Sequence, residues 1–371
     1  MPGDQRSVRL KYGLNPQQEH ATATMPDGGP LPLSVLNGTP SVVNLLDALQ
    51  GWQLVREADR ALGLAAAASM KHVSPAGAAV AGEVDAVTRA TFALDDGLSE
   101  PATAYARARD CDPRSSYGDM AALSRPVDMA TARLLARVVS DGVVAPGYEP
   151  GVVEVLARKK RGAYLVLRVD PAYEPAGRQV RDVFGVRIVQ DADPVAIDAR
   201  SLGERFGEPT DRHLRDAVLG LIVVRYTQSN SVACVQDGRT IGIGAGQQSR
   251  VDCVRLAGEK ADRWRLRRHP RVAAVRFPDG TPLQDRVNGV LRLVEDRLAA
   301  AREPDPSWGS PSCTLVSDAY LPFRDNVDVA ARHGVGCIVE GGGSRRSGEV
   351  EAACEEHGIA LVRTGLRLFC H

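Results

Sequence analysis

The chain has 371 residues, and its 46 lysines and arginines are balanced by 46 aspartates and glutamates. This zero net charge argues against a dedicated nucleic-acid binder, because such proteins usually carry a basic excess. Hydrophobic residues make up 44% and charged residues 25% of the chain, which is ordinary for a folded protein and excludes disorder over most of its length.

Strand-like and helix-like segments alternate along the whole chain, and this alternation predicts an α/β fold. Short apolar runs predict buried strands over 64–70, 164–169, 221–224, 231–235, 313–316, 337–339 and 359–362. Apolar periodicity predicts helices over 42–57, 287–298, 326–333 and 349–357. Stretches rich in proline, glycine and polar residues predict linkers over 170–178 and 302–312.

The sequence shows no targeting or cross-linking signal. No apolar run approaches the roughly 18 residues that span a bilayer, and the N-terminus has no apolar signal-peptide core. The seven cysteines are widely spaced without a CxxC pair, so neither a disulfide framework nor a cysteine-rich zinc site is expected. The cytoplasm is therefore the expected location.

The segment ASMKHVSPAGAAV carries the first candidate site. An apolar strand runs into Lys71 and His72, and Ser74 and Pro75 then match the cap and first position of a helix. Lys71 and His72 would lie at the carboxyl end of a strand, where open α/β sheets bind ligands. Histidine suits proton transfer near neutral pH. A purely structural or surface role for the pair stays open, and both side chains reach one site only if the strand ends there.

Further segments are polar or rich in glycine. YTQSNS offers amides and hydroxyls to a ligand or an ion, or forms a polar turn. IGIGAGQQSR resembles a phosphate loop, yet it lacks the last glycine of GxGxxG and the GK[ST] of a P-loop. Its glycines still permit a close backbone approach. The turn-rich segments over 111–119 and 140–150 are expected to be loops.

Two groups of basic residues have two interpretations each. The arginines over 263–271 are expected to form a solvated helix face, with contact to an anionic ligand as the alternative. Arg367, in the terminal LRLFCH, is either an anion ligand or a partner in a plain salt bridge.

Seven motifs in a fixed order carry a resemblance to a known family. They are LKYGLNPQQ, ASMKHVSPAGAAV, SDGVVAPGYEP, YTQSNSV, IGIGAGQQSR, SDAYLPFRDNVD and LRLFCH. Together they resemble the AICAR transformylase domain, the formyl-transferring half of a bifunctional purine enzyme whose other half is IMP cyclohydrolase. The resemblance runs from about Leu10 to His371. Only nine residues precede the first motif, so we expect a transformylase without the cyclohydrolase domain, and ring closure by a separate IMP cyclohydrolase.

The resemblance implies a fold and an assembly. The fold is α/β, built of duplicated cytidine-deaminase-like three-layer α/β/α units, as pseudo-repeated subdomains over roughly 1–178 and 179–371 whose segments can interleave. The zinc signature of that fold, H-x-E with P-C-x-x-C, is absent from the sequence, so no zinc site is expected. A homodimer with active sites shared between subunits is implied, and neither nucleic acid nor a membrane is an expected partner.

The resemblance also assigns roles to individual residues. It implies that His72 is the general base, that Lys71 stabilises the transition state and that Asn230 hydrogen-bonds the reacting centre. The positions that match nucleotide binding are Lys11, Tyr12, Asn44, Gly118, Asp141, Arg250, Tyr320 and Arg367. The positions that match folate contacts are Val251, Asp325, Ser344 and Arg345. The family can hold a potassium ion near the positions of Thr227, Ser229 and Ser231.

The implied reaction transfers a formyl group from 10-formyltetrahydrofolate to the 5-amino group of AICAR, giving FAICAR and tetrahydrofolate in the penultimate step of de novo IMP synthesis. Lys11 stands where the family usually has arginine, and lysine lacks the bidentate fork of a guanidinium. Further departures from the family pattern are Gln17, Met70, Arg114 and Cys370. They leave open a related aminoimidazole nucleotide as the acceptor. A non-catalytic nucleotide-binding paralogue is the third hypothesis, against which the intact Lys71, His72 and Asn230 argue.

Overall fold

The structure, a computed structural model, describes residues 5–278, 280–300 and 313–371, with side chains described for all of these except 297–300. Within this part, sixteen strands and eleven α-helices alternate along the chain. This arrangement confirms the predicted α/β class. The predicted linker over 302–312 lies outside the described residues.

The element boundaries are as follows. The strands are β1 (Ser7–Arg9), β2 (Thr22–Thr24), β3 (Leu33–Asn37), β4 (Ala66–Lys71), β5 (Ser74–Val80), β6 (Asp119–Leu123), β7 (Ser140–Ala145), β8 (Leu165–Val169), β9 (Arg178–Val183), β10 (Val186–Asp191), β11 (Glu204–Phe206), β12 (Val232–Gln236), β13 (Arg239–Gly244), β14 (Cys313–Ser317), β15 (Val335–Glu340) and β16 (Ala360–Arg363). The α-helices are α1 (Val42–Leu62), α2 (Ala86–Phe92), α3 (Glu100–Asp110), α4 (Met129–Arg137), α5 (Val152–Ala157), α6 (Asp211–Arg225), α7 (Arg250–Arg267), α8 (Pro270–Ala273), α9 (Leu283–Ala300), α10 (Asp325–Arg332) and α11 (Ser347–Glu356). Two 3₁₀ turns cover Lys159–Gly162 and Ala199–Ser201.

Twelve strands form one sheet, in the order β11-β16-β15-β14-β12-β13-β5-β4-β6-β7-β8-β3. The strand directions are symmetric about the contact between β13 and β5. On each side, a hairpin is followed outward by three mutually parallel strands and then by a short antiparallel edge strand. Apolar clusters on the two faces pack α1 and α6 against one face and the helices α3, α4, α5, α7, α10 and α11 against the other.

The sheet directions bring many loops to one end of the molecule, which we call the turn end because the turn between β4 and β5 lies there. Strands β6 and β7 begin at this end, because Met70 near the end of β4 pairs with Met120 near the start of β6. Strands β14, β15 and β16 finish at the same end, since Ser317 at the end of β14 pairs with Val232 at the start of β12. The turn end therefore contains the amino ends of β6 and β7 from the first half of the chain and the carboxyl ends of β14, β15 and β16 from the second half.

The predictions for residues 221–224 and 140–145 were wrong. Residues 221–224 lie inside α6 and not in a strand, because this helix is buried from Asp216 to Val224 and therefore shows an apolar run without periodicity. Residues 140–145, predicted to be a loop, form β7. This strand contains Gly142, which a turn-based prediction mistakes for a break, although it packs closely on Leu165 of β8.

The glycines of IGIGAGQQSR serve helix packing. A Cβ atom on Gly242 would overlap the carbonyl oxygen of Ala257 in α7, and one on Gly244 would overlap that of Cys253. The close backbone approach predicted for this segment is confirmed, and its partner is a helix of the same chain.

Of the arginines over 263–271, Arg271 is exposed, but Arg267 and Arg268 do not form the predicted solvated face. Arg267 is 3% exposed and its Nη1 lies 2.7 Å from Asp110 Oδ1 on α3. Arg268 also reaches Asp110 and stacks on Trp264. Because a buried charge is tolerated only when it is paired, these arginines hold α7 to α3.

Strands β9 and β10 form a separate exposed ribbon after the 170–178 linker. Within the described ranges, no helix is both long and apolar enough to cross a membrane.

Candidate functional site

A cavity of about 320 Å³ opens at the turn end of the sheet. Its volume is at the lower end of the range for small-molecule sites. The residues with predicted roles that line it are Lys11, Tyr12, Asn44, Lys71, His72, Gly118 and Asp141. The structure therefore brings together both residues of the Lys-His pair and most of the positions predicted to bind a nucleotide.

Lys71 and His72 reach the cavity through a tight hairpin. Strand β4 ends at Lys71, which pairs with Ser74 at the start of β5, so His72 and Val73 alone form the turn. Both turn residues have positive φ, 53° and 61°, as a type I′ turn requires. The prediction that Ser74 and Pro75 begin a helix was wrong. The strand does end at Lys71, and this lets two adjacent side chains face one cavity.

A buried polar network supports Lys71 from behind. Lys71 Nζ donates to the carbonyl oxygen of Gly118 at 3.0 Å. The next residue, Asp119, is fully buried and accepts hydrogen bonds from Ser69 Oγ at 2.6 Å and Tyr105 OH at 3.0 Å. It also pairs with Arg109. These contacts fix the start of β6 against the end of β4 and so fix the ammonium group in the cavity wall.

The N-terminus of α1 forms another part of the wall. Ser41 caps the helix, and the side chain of Asn44 completes a capping box. The first turn contains no acidic residue, and Lys11 and Tyr12 of the preceding segment lie beside it in the cavity. A helix N-terminus together with a lysine favours an anionic group.

The sequence alone did not identify two charged residues of the cavity. Lys160 lines the wall and forms an ion pair with Asp141. Asp47 of α1 is 5% exposed, and its Oδ1 accepts a hydrogen bond from the Val73 N–H at 2.5 Å. Burial raises the pKa of the Asp47 carboxyl, while the neighbouring His72 and Lys71 oppose that rise. No motif marks either residue, because each contact joins segments that are distant in sequence.

Asn230 and Arg250 do not line this cavity and form a second group at the turn end. Arg250 Nη2 donates to Asn230 Oδ1 at 2.9 Å, and Asn230 Nδ2 donates to the carbonyl oxygen of Gln247 at 3.0 Å. Arg250 is 8% exposed and is paired with Asp318. Asp318 was not predicted, although it lies within the SDAYLPFRDNVD motif directly after β14.

The remaining predicted residues lie on loops and helix starts around the second group. Tyr320 follows β14 and is 47% exposed. Arg367 is also exposed and stacks on Phe369, with its Cζ atom 5.2 Å from the ring centre. The C-terminal tail returns to this group, since Leu368 N donates to the carbonyl oxygen of Asp318 at 2.7 Å. The four predicted folate contacts are Val251 at the start of α7, Asp325 at the start of α10, and Ser344 and Arg345 after β15.

The hydroxyls predicted to lie near potassium all have protein partners. Thr227 Oγ1 donates to the carbonyl oxygen of Val223 at 2.6 Å, and Ser229 Oγ donates to Asp318 Oδ2 at 2.6 Å. Ser231 Oγ lies 3.1 Å from the same carboxylate oxygen. The contacts of Ser229 and Ser231 tie the loop that carries Asn230 to Asp318, directly after β14.

The two groups approach each other along the turn end but occupy different stretches of it. The loop of the second group reaches the hairpin, since Gln228 N donates to Ser74 Oγ at 3.2 Å. The outer members are far apart: β15 and β7 are separated by seven strand steps, which is about 34 Å at a spacing of ~4.8 Å. This separation exceeds the length of a single nucleotide.

The departures from the family pattern fall in different places. Lys11 lines the cavity, whereas Gln17 is exposed outside its lining. Arg114 Nη1 lies 2.6 Å from Glu295 Oε1 of α9, and Arg114 is not part of the cavity wall. Cys370 N donates to Ser229 Oγ at 3.1 Å, and Ser229 N donates to the carbonyl oxygen of Cys370 at 3.0 Å, so Cys370 lies in the second group. Of these departures, only Lys11 faces the cavity.

Comparison with known proteins gives two findings. A family model described as "AICARFT/IMPCHase bienzyme" matches residues 2–260. A protein of Roseobacter denitrificans described as "Bifunctional purine biosynthesis protein PurH" is 33% identical over 98% of this chain and 59% of its own length. A protein of the same description from Persephonella marina is 32% identical over the same shares. The chain thus spans about 59% of the length of these curated relatives.

Proposed function

The chain belongs to the AICARFT/IMPCHase family, and from that premise we propose that it transfers the formyl group of 10-formyltetrahydrofolate to the 5-amino group of AICAR, giving FAICAR and tetrahydrofolate. The observation that carries this proposal is the meeting of His72 and Lys71 in one cavity with Lys11 and the N-terminus of α1. The cavity thus offers a base, an ammonium donor and an anion site.

The nucleotide phosphate would bind at the positive end of this cavity. Lys11, Tyr12 and the free N–H groups at the start of α1 supply positive charge and hydrogen-bond donors, which suit a phosphate. Lys71 Nζ and Asp141 Oδ1 converge around Gly118, where even a Cβ atom would lie 3.3 Å and 3.6 Å from them. Gly118 therefore leaves room for the reacting part of the nucleotide.

The chemistry needs help because the amine of AICAR is conjugated with its carboxamide-bearing imidazole and is a poor nucleophile. As nitrogen attacks the formyl carbon, His72 would accept the amine proton, a contribution typically worth about 10²–10⁴-fold. Lys71 and Asn230 would donate hydrogen bonds to the tetrahedral oxyanion, and loss of one such donor typically costs about 10²–10³-fold. The carbon–nitrogen bond to the folate then breaks, and Lys71 would help to protonate the leaving nitrogen.

We propose that the second group acts in the cavity of another copy of the chain. Asn230, Arg250, Tyr320 and Arg367 would complete the nucleotide site, and Val251, Asp325, Ser344 and Arg345 would contact the folate. The separation along the sheet supports this proposal, because a homodimer would allow one subunit to supply what lies out of reach on the other.

We also propose that the sheet derives from a cytidine-deaminase-like duplication, with subdomains over roughly 1–178 and 179–371. The symmetric strand order supports it, and so do the two hairpins at its centre, which share register and bulge position.

The proposal also includes a potassium ion near Thr227, Ser229 and Ser231, because their oxygens and those of Asp318 suit a hard cation. Such an ion would brace the loop that carries Asn230.

A steady-state assay of the purified chain with AICAR and 10-formyltetrahydrofolate tests the proposed reaction. We expect FAICAR and tetrahydrofolate to form in equal amounts. Turnover with a different aminoimidazole nucleotide alone would correct the acceptor, and Lys11 would be the first residue to examine. Nucleotide binding without any turnover would overturn the assignment as a formyltransferase.

Replacing Arg367 with alanine should weaken nucleotide binding at least about tenfold, because a charge-assisted hydrogen bond typically contributes about 1.5–3 kcal/mol. Isothermal titration with AICAR measures this change. Arg346→Ala is the matched control, since Arg346 is also exposed and stacks on a phenylalanine, Phe323, at the same 5.2 Å. Equal nucleotide affinities in the two variants would remove Arg367 from the nucleotide site.

A further inference from the structure

The turn that carries His72 has an unusual composition for its geometry. A two-residue turn with positive φ at both positions normally contains asparagine, aspartate or glycine. Here the residues are His72 and Val73, and a β-branched side chain such as valine is strongly disfavoured at positive φ. Other contacts must therefore hold this turn in its left-handed form.

Asp47 makes the contact that can hold the turn in its left-handed form. It projects from α1, and its Oδ1 accepts the Val73 N–H at 2.5 Å. The carboxylate is almost fully buried and lines the cavity. Charge-assisted hydrogen bonds to a carboxylate are roughly twice as strong as neutral ones. The bond therefore opposes relaxation of Val73 towards negative φ.

The second half of the chain contains an equivalent contact between a helix aspartate and a hairpin turn, and there the turn has the usual residue types. Asp216, the sixth residue of α6 as Asp47 is of α1, accepts hydrogen bonds from Asp237 N at 3.0 Å and Gly238 N at 2.7 Å. Asp237 and Gly238 form the turn between β12 and β13 and have φ of 53° and 69°. This hairpin has the same register and bulge as β4–β5.

The two turns differ in their residues and in their position in the sheet. The turn at Asp237 and Gly238 has the residues that its geometry favours, and it lies at the opposite end of the sheet, since Arg239 pairs with Ala79. Only the turn in the cavity carries a histidine and a strained valine. Strain of this kind is retained where the surrounding structure enforces it and where it serves the site.

We propose that Asp47 is a positioning residue that holds the His72–Val73 turn in its left-handed form, so that His72 and Lys71 both face the cavity. This inference rests on the proposed formyl transfer. It predicts that Asp47 acts on turnover and leaves the phosphate contacts of the nucleotide in place.

The test measures kcat and KM for AICAR in Asp47→Ala and Asp216→Ala. Asp47→Ala should lower kcat at least about tenfold, because small displacements of reacting groups are costly, with KM for AICAR within about threefold of wild type. Asp47→Asn, which retains an acceptor oxygen, should recover part of the loss. Asp216→Ala removes the same kind of bond remote from the cavity, so it should lower the thermal unfolding midpoint without lowering kcat.

A second pair of variants, made in a Val73→Gly chain, distinguishes a positioning role of Asp47 from a role in folding. Glycine adopts positive φ without strain, so in a Val73→Gly chain the turn needs no support. In that background, Asp47→Ala should change kcat less than about threefold relative to Val73→Gly alone. This comparison holds even if the single Asp47→Ala variant does not fold. A tenfold loss in the Val73→Gly background, or equal kcat for Asp47→Ala and wild type, would overturn the inference. A wild-type chain without turnover would instead contradict the proposed function.

Discussion

Replacing His72 with alanine should lower kcat by about 10²–10⁴-fold, the usual contribution of a general base, while the affinity for AICAR stays within about threefold. The reason is geometric. His72 lies at the tip of a two-residue turn and is exposed to the cavity, whereas the proposed phosphate contacts come from Lys11 and the start of α1. Single-turnover formyl transfer and isothermal titration measure the two quantities separately.

His357→Ala provides the control for this experiment. His357 follows α11 at the far end of the sheet and contacts Asp328 Oδ1 at 2.8 Å. Its replacement should leave both quantities unchanged. Near-normal turnover in His72→Ala would refute the proton-acceptor role, and a loss of AICAR binding equal to the loss of turnover would assign His72 to ground-state binding.

Mixing two inactive variants should restore activity. In a homodimer with shared sites, His72→Ala and Asn230→Ala damage opposite contributions to each site. A mixed dimer then contains one doubly damaged site and one intact site. Random pairing at equal amounts makes half of the dimers mixed, so activity should recover to about a quarter of the wild-type value.

The matched control mixes His72→Ala with Lys71→Ala. Both residues line the same cavity, so every site in every dimer keeps one defect and no activity should return. Differently tagged subunits would verify exchange by co-purification. If tagged subunits exchange and His72→Ala with Asn230→Ala stays inactive, the proposal of a site shared between chains is wrong.

Patterns with local causes were predictable from the sequence. Helix α1 was predicted over 42–57 and extends over Val42–Leu62, because its apolar stripe is a local signal. The helix predicted over 287–298 is also confirmed, with Val287, Leu291 and Val294 buried. The resemblance assigned roles to seven of the residues that line the cavity.

Features that depend on tertiary contacts were not predictable in the same way. The apolar run over 221–224 is consistent with a strand or a buried helix, and only the packing of α6 decides between them. Ser74 and Pro75 satisfy the rules for a helix start, yet pairing with β4 makes them a strand. Asp47 contacts a turn 26 residues later, and no short motif records that contact.

The most direct test of the central claim is a crystal structure of the protein with AICAR bound. We expect the nucleotide in the cavity beside Lys11 and Tyr12, with its 5-amino nitrogen about 2.6–3.2 Å from a ring nitrogen of His72, the distance that proton transfer requires. AICAR bound elsewhere, or bound with that amine beyond reach of His72 even through one water, would contradict the claim.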